Sequence, residues 1–263
     1  MKENHGSMSM IIRKITGIML AAIILCAFSG AAGETIRITL SDEGSTCDNG
    51  AVQCLENMVV ISYPGDYEIS GTLSDGQLYV NCDIEGKVGL TLNGVSIHNE
   101  DGAAVCIGSV NPRAHIILAE GTENIISSGK QSSGDAEESD GAIFSRSDLT
   151  IEGTGALKIS AGRMDGIVSK DDLRIEGGTI EVDALRHGIR GKDAVEISGG
   201  EITVSAGKDG IRSNNDKDAG RGYITITGGD IHISCGDDPL DFVTALTISG
   251  GTVDSAVISP EDR

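Results

Sequence analysis

The chain has 263 residues, 40 acids against 20 lysines and arginines, a formal charge of −20 and no tryptophan. That balance excludes nucleic acid or an anionic membrane as a natural direct partner, since both require positive surface. It also repels acidic polysaccharides from bare protein surface unless cations lie between them.

Residues 1–33 read as an export signal. Arg13 and Lys14 precede an uncharged apolar run from Ile15 to Phe28, and Ser29-Gly-Ala-Ala-Gly33 supplies a small-residue cleavage site before Glu34. The run is short for a membrane span and ends in small residues rather than positive charge, which argues against an uncleaved anchor. Cys26 follows Leu25, where a lipoprotein signal has a small residue. The mature chain, at a charge of about −22, is therefore expected to be secreted, outside the cell or on its surface.

Residues 34–74 are less regular. Ile36-Arg-Ile38-Thr-Leu40, Met58-Val-Val-Ile61 and Tyr67-Glu-Ile69 are strands around a polar loop at Ser41 to Gly50, and the segment is expected to cap the N-terminal end of the periodic region. From 75 to 263 the pattern becomes periodic. Strands are expected at Val88 to Ile97, His115 to Leu118, Asn124 to Ile126 and Leu149 to Ile159, with an exposed loop at Ser127 to Ser139.

The clearest periodicity lies from Leu173 to Val253. An apolar-x-apolar pair, two glycines and a second apolar-x-apolar pair recur, with the second glycine at 178, 200, 229 and 251. The step is 22 residues, interrupted once by seven extra. Period-two alternation of β-branched residues marks strands with one buried face, and no copy carries a helical pattern. A fixed step of this size predicts an all-β, right-handed single-stranded parallel β-helix, a solenoid of about 22-residue coils, rather than a sandwich or barrel whose hairpins vary in length.

A second phrase opens each coil: Asp75-Gly, Asp101-Gly, Asp140-Gly, Asp165-Gly, His187-Gly, Asp209-Gly and Asp238-Pro239. The glycine is explained by a turn or a close backbone approach. Stacking the aspartates one strand spacing apart is unfavourable unless turn amides or a cation offset the repulsion. At Asp237-Asp238-Pro-Leu-Asp241, three carboxylates fall within five residues and Asp209 stacks beside them. Four hard oxygen donors suit Ca2+, with Asn215 and Asp216 of the seven-residue insertion placed to add further oxygens. A solvated acidic turn is the competing reading.

The mature part holds five cysteines, an odd number. Cys47 and Cys54 flank a short loop and can bridge, Cys82 and Cys106 lie about one coil apart and can stack or bond, and Cys235 reads as a buried thiol. No zinc spacing is present.

The run of Gly-Gly coils with Asp-Gly-Ile starts, the phrase Asp209-Gly-Ile-Arg-Ser-Asn-Asn-Asp216 and the ending Asp237-Asp238-x-x-Asp241 resemble the secreted calcium-containing β-helix family of carbohydrate-binding proteins that bind cellulose and acidic sugars such as polygalacturonate. The resemblance covers roughly residues 75–255 and implies a polysaccharide partner. That family is similar in fold to the family 9 pectate lyases, and the resemblance places their calcium aspartates at Asp209, Asp237, Asp238 and Asp241. The lysine base that those enzymes draw from a later coil has no counterpart, since no lysine follows Lys217; Lys192 and Lys208 are the candidates for a relocated base. Pro239 stands where a glycine is expected, and no C-terminal cap is evident.

Two pairs of side chains are candidates for holding sugar. Arg190 and Arg212 occupy equivalent coil positions and are expected to point outward, where a guanidinium fork suits a uronate carboxylate, although a solvated basic row has the same appearance. Tyr223 and Phe242 are expected to flank the calcium site or to stack in the core. The sequence thus supports a non-catalytic polysaccharide-binding module, with a calcium-dependent lyase and a surface scaffold or adhesin as alternatives.

Overall fold

The computed structural model describes residues 34–129 and 140–258. The export segment and most of the expected loop at Ser127 to Ser139 lie outside the described residues, but Ser127 and Ser128 themselves end a strand, Glu123–Ser128.

The described chain folds into 25 strands with no helix. From residue 141 onward each coil crosses three faces. The entry face takes Gly141–Ser145, Asp165–Ser169, Ile189–Gly191, Ile211–Ser213 and Leu240–Phe242, and the middle face takes Leu149–Gly153, Asp172–Ile175, Ala194–Ile197, Tyr223–Ile226 and Ala245–Ile248. The exit face takes Ala156–Ala161, Thr179–Ala184, Glu201–Ala206, Asp230–Cys235 and Thr252–Val257. Equivalent strands of successive coils pair in parallel, with Ile180 against Ile202, Ile202 against Ile231 and Ile231 against Val253. The expected 22-residue step is thus the length of one coil.

Alternation follows from that pairing. In-pointing residues stack on their own kind: Ile143, Ile167, Ile189 and Ile211 on the entry face, and Leu149, Leu173, Val195 and Ile224 on the middle face, all 0% exposed. Each such side chain contributes roughly 1.5–3 kcal/mol of burial, so the stack itself is the core. Cys235 pairs with Ala206 in the exit-face row and is buried, as a small apolar residue should be.

Both glycines of the Gly-Gly turn have a reason. Gly200 has φ +96°, and a Cβ on Gly199 would lie 2.6 Å from the Glu176 carbonyl of the preceding coil. The coil-opening glycines answer to crowding alone: a Cβ on Gly188 would meet the Gly210 carbonyl at 2.7 Å, and one on Gly210 the Pro239 carbonyl at 2.8 Å. Pro239 is tolerated because no described coil follows it and Ser255 stands in its coil where Ile233 crowds Gly210.

Among the described residues antiparallel pairing occurs only at the beginning, between Ile36–Leu40 and Thr46–Cys47 and between Val52–Cys54 and Met58–Ile61. The cysteines there form no disulfide, nor do Cys82 and Cys106. Cys106 stacks on Tyr79 and Phe144, so it is out of register with Cys82. At the other end the in-pointing Leu246 and Ile248 are 37% and 49% exposed, because nothing described covers the last coil.

Candidate functional site

The outward row of the entry face changes character along the stack. It runs Tyr79, Cys106, Phe144, Val168, Arg190, Arg212 and Asp241, one residue per coil. Two residues further along each strand lie Arg146, Lys170 and Lys192. The Arg146 and Lys170 cations stand 5.9 and 5.7 Å from the Phe144 ring, which is 1% exposed. Basic groups thus line this face beside the aspartates that open its coils.

The aspartates that open the coils are buried in mid-stack: Asp140, Asp165 and Asp209 are at most 6% exposed, with His187 in the same row. Backbone amides of the next coil hold Asp165 and Asp209, His187 N–H donating to Asp165 Oδ1 at 3.1 Å and Asp238 N–H to Asp209 Oδ1 at 3.2 Å. This is the turn role, exercised between coils. The remaining charge is met by arginine. Arg190 reaches Asp140 and sits with Nε 3.0 Å from Asp165 Oδ2, close but not aligned for a hydrogen bond. Burial pushes the Asp165 carboxyl up, against the pull of Arg190 and Arg186. Arg190 thus occupies the outward row, but its side chain is only 12% exposed and turned back onto the ladder; the expectation of a free fork is corrected, because a long side chain beside two buried carboxylates pairs with them.

At the calcium corner the same solution recurs. Arg212 Nη1 donates to Asp209 Oδ2 at 2.8 Å, and its Nε lies 3.2 Å from Asp241 Oδ2. Burial raises the Asp241 carboxyl, as do Asp209 and Asp238 beside it, while Arg212 lowers it. Asp237 and Asp238 are exposed. The oxygen donors fit Ca2+ in kind, but in this arrangement a guanidinium already neutralises Asp209 and Asp241. Arg212, expected to point outward, instead lies between Asp209 and Asp241.

Asn215 and Asp216 lie at the other end of the strand Ile211–Ser213 from Asp209. Asn215 Nδ2 donates to Asp193 Oδ1 at 2.6 Å, and its Oδ1 accepts from the amides of Lys217 and Asp218. The pair therefore does not join the Asp209 set: the insertion folds over the coil before it rather than the coil after. There it meets an acidic cluster that periodicity did not single out. Carboxylate oxygens of Asp148, Asp171 and Asp172 lie within 4.8 Å of one another. Arg113 contacts Asp148 at 2.6 Å and Arg221 contacts Asp172 at 2.9 Å. Burial and then the neighbouring Asp148 raise both the Asp171 and Asp172 carboxyls. The adjacent pair Asp171-Asp172 was the available signal.

Tyr223 lies on the middle face and donates to Glu196 Oε1 at 2.9 Å, away from Asp209. Phe242 pairs with the in-pointing Ser213 and is 40% exposed at the open end. Neither belongs to a shared platform. What the entry face does hold is an open cleft of about 210 Å3 between Lys170, Arg190, Lys192, Asn214, Asp216 and Lys217. Lys192, one candidate for a relocated base, lies here, at the opposite end of its strand from the aspartate ladder.

These features define an all-β solenoid of parallel coils with a polyionic face. The chain belongs to the family of carbohydrate-binding domain-containing proteins, whose profile matches residues 55–259. A carbohydrate-binding domain-containing protein of Acetivibrio thermocellus is 34% identical over 189 residues, 65% of this chain and 66% of that relative's length. The chain is also similar to a solved polysaccharide lyase-like protein from C. thermocellum, a gadolinium derivative, with a TM-score of 0.77, 33% identity, and coverage of 86% of this chain and 96% of that one.

Proposed function

We propose that the mature chain is an exported, non-catalytic protein that binds acidic cell-wall polysaccharide along the entry face of a right-handed single-stranded β-helix. The observation that carries the reading is a stripe of basic side chains on the entry face, Arg146, Lys192 and Lys217, that make no ion pair among the described residues, in a chain whose net charge is −20. Such a stripe supplies locally the positive potential that a polyuronate requires. Family membership supports carbohydrate as the ligand class, and the winding follows the right-handed preference of parallel connections. A calcium ion at Asp209, Asp238 and Asp241 belongs to the same reading; it takes over the counter-charge that Arg212 supplies in the structure.

Retention on pectin and cellulose, with and without EDTA, tests the reading. Retention on polygalacturonate that weakens with salt is expected, and no retention on any polysaccharide favours a scaffold role. Incubation with polygalacturonate and Ca2+ while following absorbance of unsaturated product tests the non-catalytic part, which sustained product formation would overturn.

A further inference from the structure

We infer that the cleft at the end of the entry-face strands is a subsite for one uronate residue, reading its carboxylate through Lys192 and Lys217 and a neighbouring hydroxyl through Asn214. The inference rests on the acidic-polysaccharide reading and assigns it to particular side chains.

Charge accounting separates the free cations from those already committed. Arg190 is paired with Asp140 and Asp165, and Lys170 lies 3.3 Å from Asp140. Among the described residues neither Lys192 nor Lys217 makes an ion pair, and Asp216 is the single acid lining the cleft. Two uncommitted ammonium groups facing one small opening attract an anion. A second observation points to a polyol rather than a bare anion. Asn214 Oδ1 is buried in the cleft wall with no hydrogen-bond partner. A buried acceptor left unpaired is costly, and a turn of this half-buried side chain towards the cleft brings it to a sugar hydroxyl, a donor that would satisfy it.

The wall is built for placement. Asn215 clamps the insertion to Asp193 and receives the amides of Lys217 and Asp218, so Asn214 and Lys217 are held on either side of a pinned residue. Lys192 comes from the coil before, and its carbonyl accepts the Asn214 and Asn215 amides. The seven extra residues thus add one wall to a cleft whose other wall is the regular stack. The larger groove, about 400 Å3 on the middle face, offers no such free charge: its Arg174 is paired with Glu196 at 2.6 Å, and Tyr223 also binds Glu196.

The test is calorimetric titration of the full mature chain with trigalacturonate, with the carboxyl-reduced trimer and with acetate. Wild type is expected to bind trigalacturonate and neither control. Lys192→Gln with Lys217→Gln should weaken binding roughly tenfold or more, and Asn214→Leu should weaken it several-fold while leaving its salt dependence. Lys158→Gln, on the exit face, should change nothing, and unchanged melting temperatures confirm that the variants fold. Unaltered trigalacturonate affinity in the double lysine variant overturns the subsite, as does acetate binding equal to that of the trimer. Loss of trimer binding with retention on polygalacturonate unchanged upholds the subsite and overturns the entry face as the polymer-binding surface. No trimer binding by wild type overturns the subsite whether or not polymer is retained.

Discussion

Arg190 and Asp165, on successive coils of the entry face, form an ion pair of 3.0 Å in which the aspartate side chain is 0% exposed. The same guanidinium contacts Asp140, fifty residues earlier in the chain. One arginine therefore neutralises two carboxylates that stacking has taken out of water.

Removing that guanidinium should be expensive. Arg190→Ala is expected to lower stability by about 3–5 kcal/mol, the range for stranding a buried charge. Lys158→Ala, which breaks an exposed pair with Glu123, should leave it nearly unchanged. Urea denaturation of both variants checks the contrast.

Core position along the stack sets the cost of truncation. Ile197 is 1% exposed between Ile175 and Ile226, so Ile197→Ala should cost about 2–5 kcal/mol. Ile248 is chemically identical but 49% exposed on the last coil, and Ile248→Ala should cost well below that range. Equal losses would mean that something covers the open end in solution.

The glycine requirement is likewise set by what packs on the turn, the exit strand of its own coil and the Pro239 carbonyl of the next. Gly210→Ala forces a Cβ to within 2.3 Å of Ile233 Cγ2 and should destabilise by roughly 1–3 kcal/mol or more. Pro239→Ala, at the equivalent place one coil later, should stay within about 0.5 kcal/mol. Thermal melts of the two variants decide whether stacking contact or turn conformation governs the position.

Calcium is expected to raise the melting temperature and EDTA to reverse the rise, with Asp238→Ala abolishing the response. An undiminished response in that variant together with its loss in Asp171→Asn would move the ion to the cluster of Asp148, Asp171 and Asp172. Differential scanning fluorimetry resolves the two outcomes.

Burial pushes the Cys106 thiol up to about 11, so it remains protonated at pH 8 and should react with a thiol reagent far more slowly in the native protein than in denaturant. Because the folded thiol holds its proton longer than the unfolded one, this residue's contribution to stability is present below pH 9 and is lost as pH rises from 9 towards 11. A Cys106→Ala variant should show a shallower decline over that window.

Composition and the 22-residue step were enough to determine the stack: strand positions, the in-pointing rows, the paired glycines and the opening aspartates all follow from local rules, since alternation and turn geometry depend on neighbours a few residues away. Which polar side chains meet was decided by the tertiary structure. Asp140 and Arg190, Asn215 and Asp193, and Asp209 and Arg212 are brought together by coil stacking and by the reach of a long side chain or the direction in which an insertion folds. The expected calcium set was drawn from the spacing of the carboxylates, and spacing does not say that Arg212, on the same outward row, turns its side chain back onto Asp209 and Asp241. The cleft of Lys192, Asn214 and Lys217 showed in the sequence only as the seven-residue insertion, because it exists only where that irregular loop closes over a regular coil.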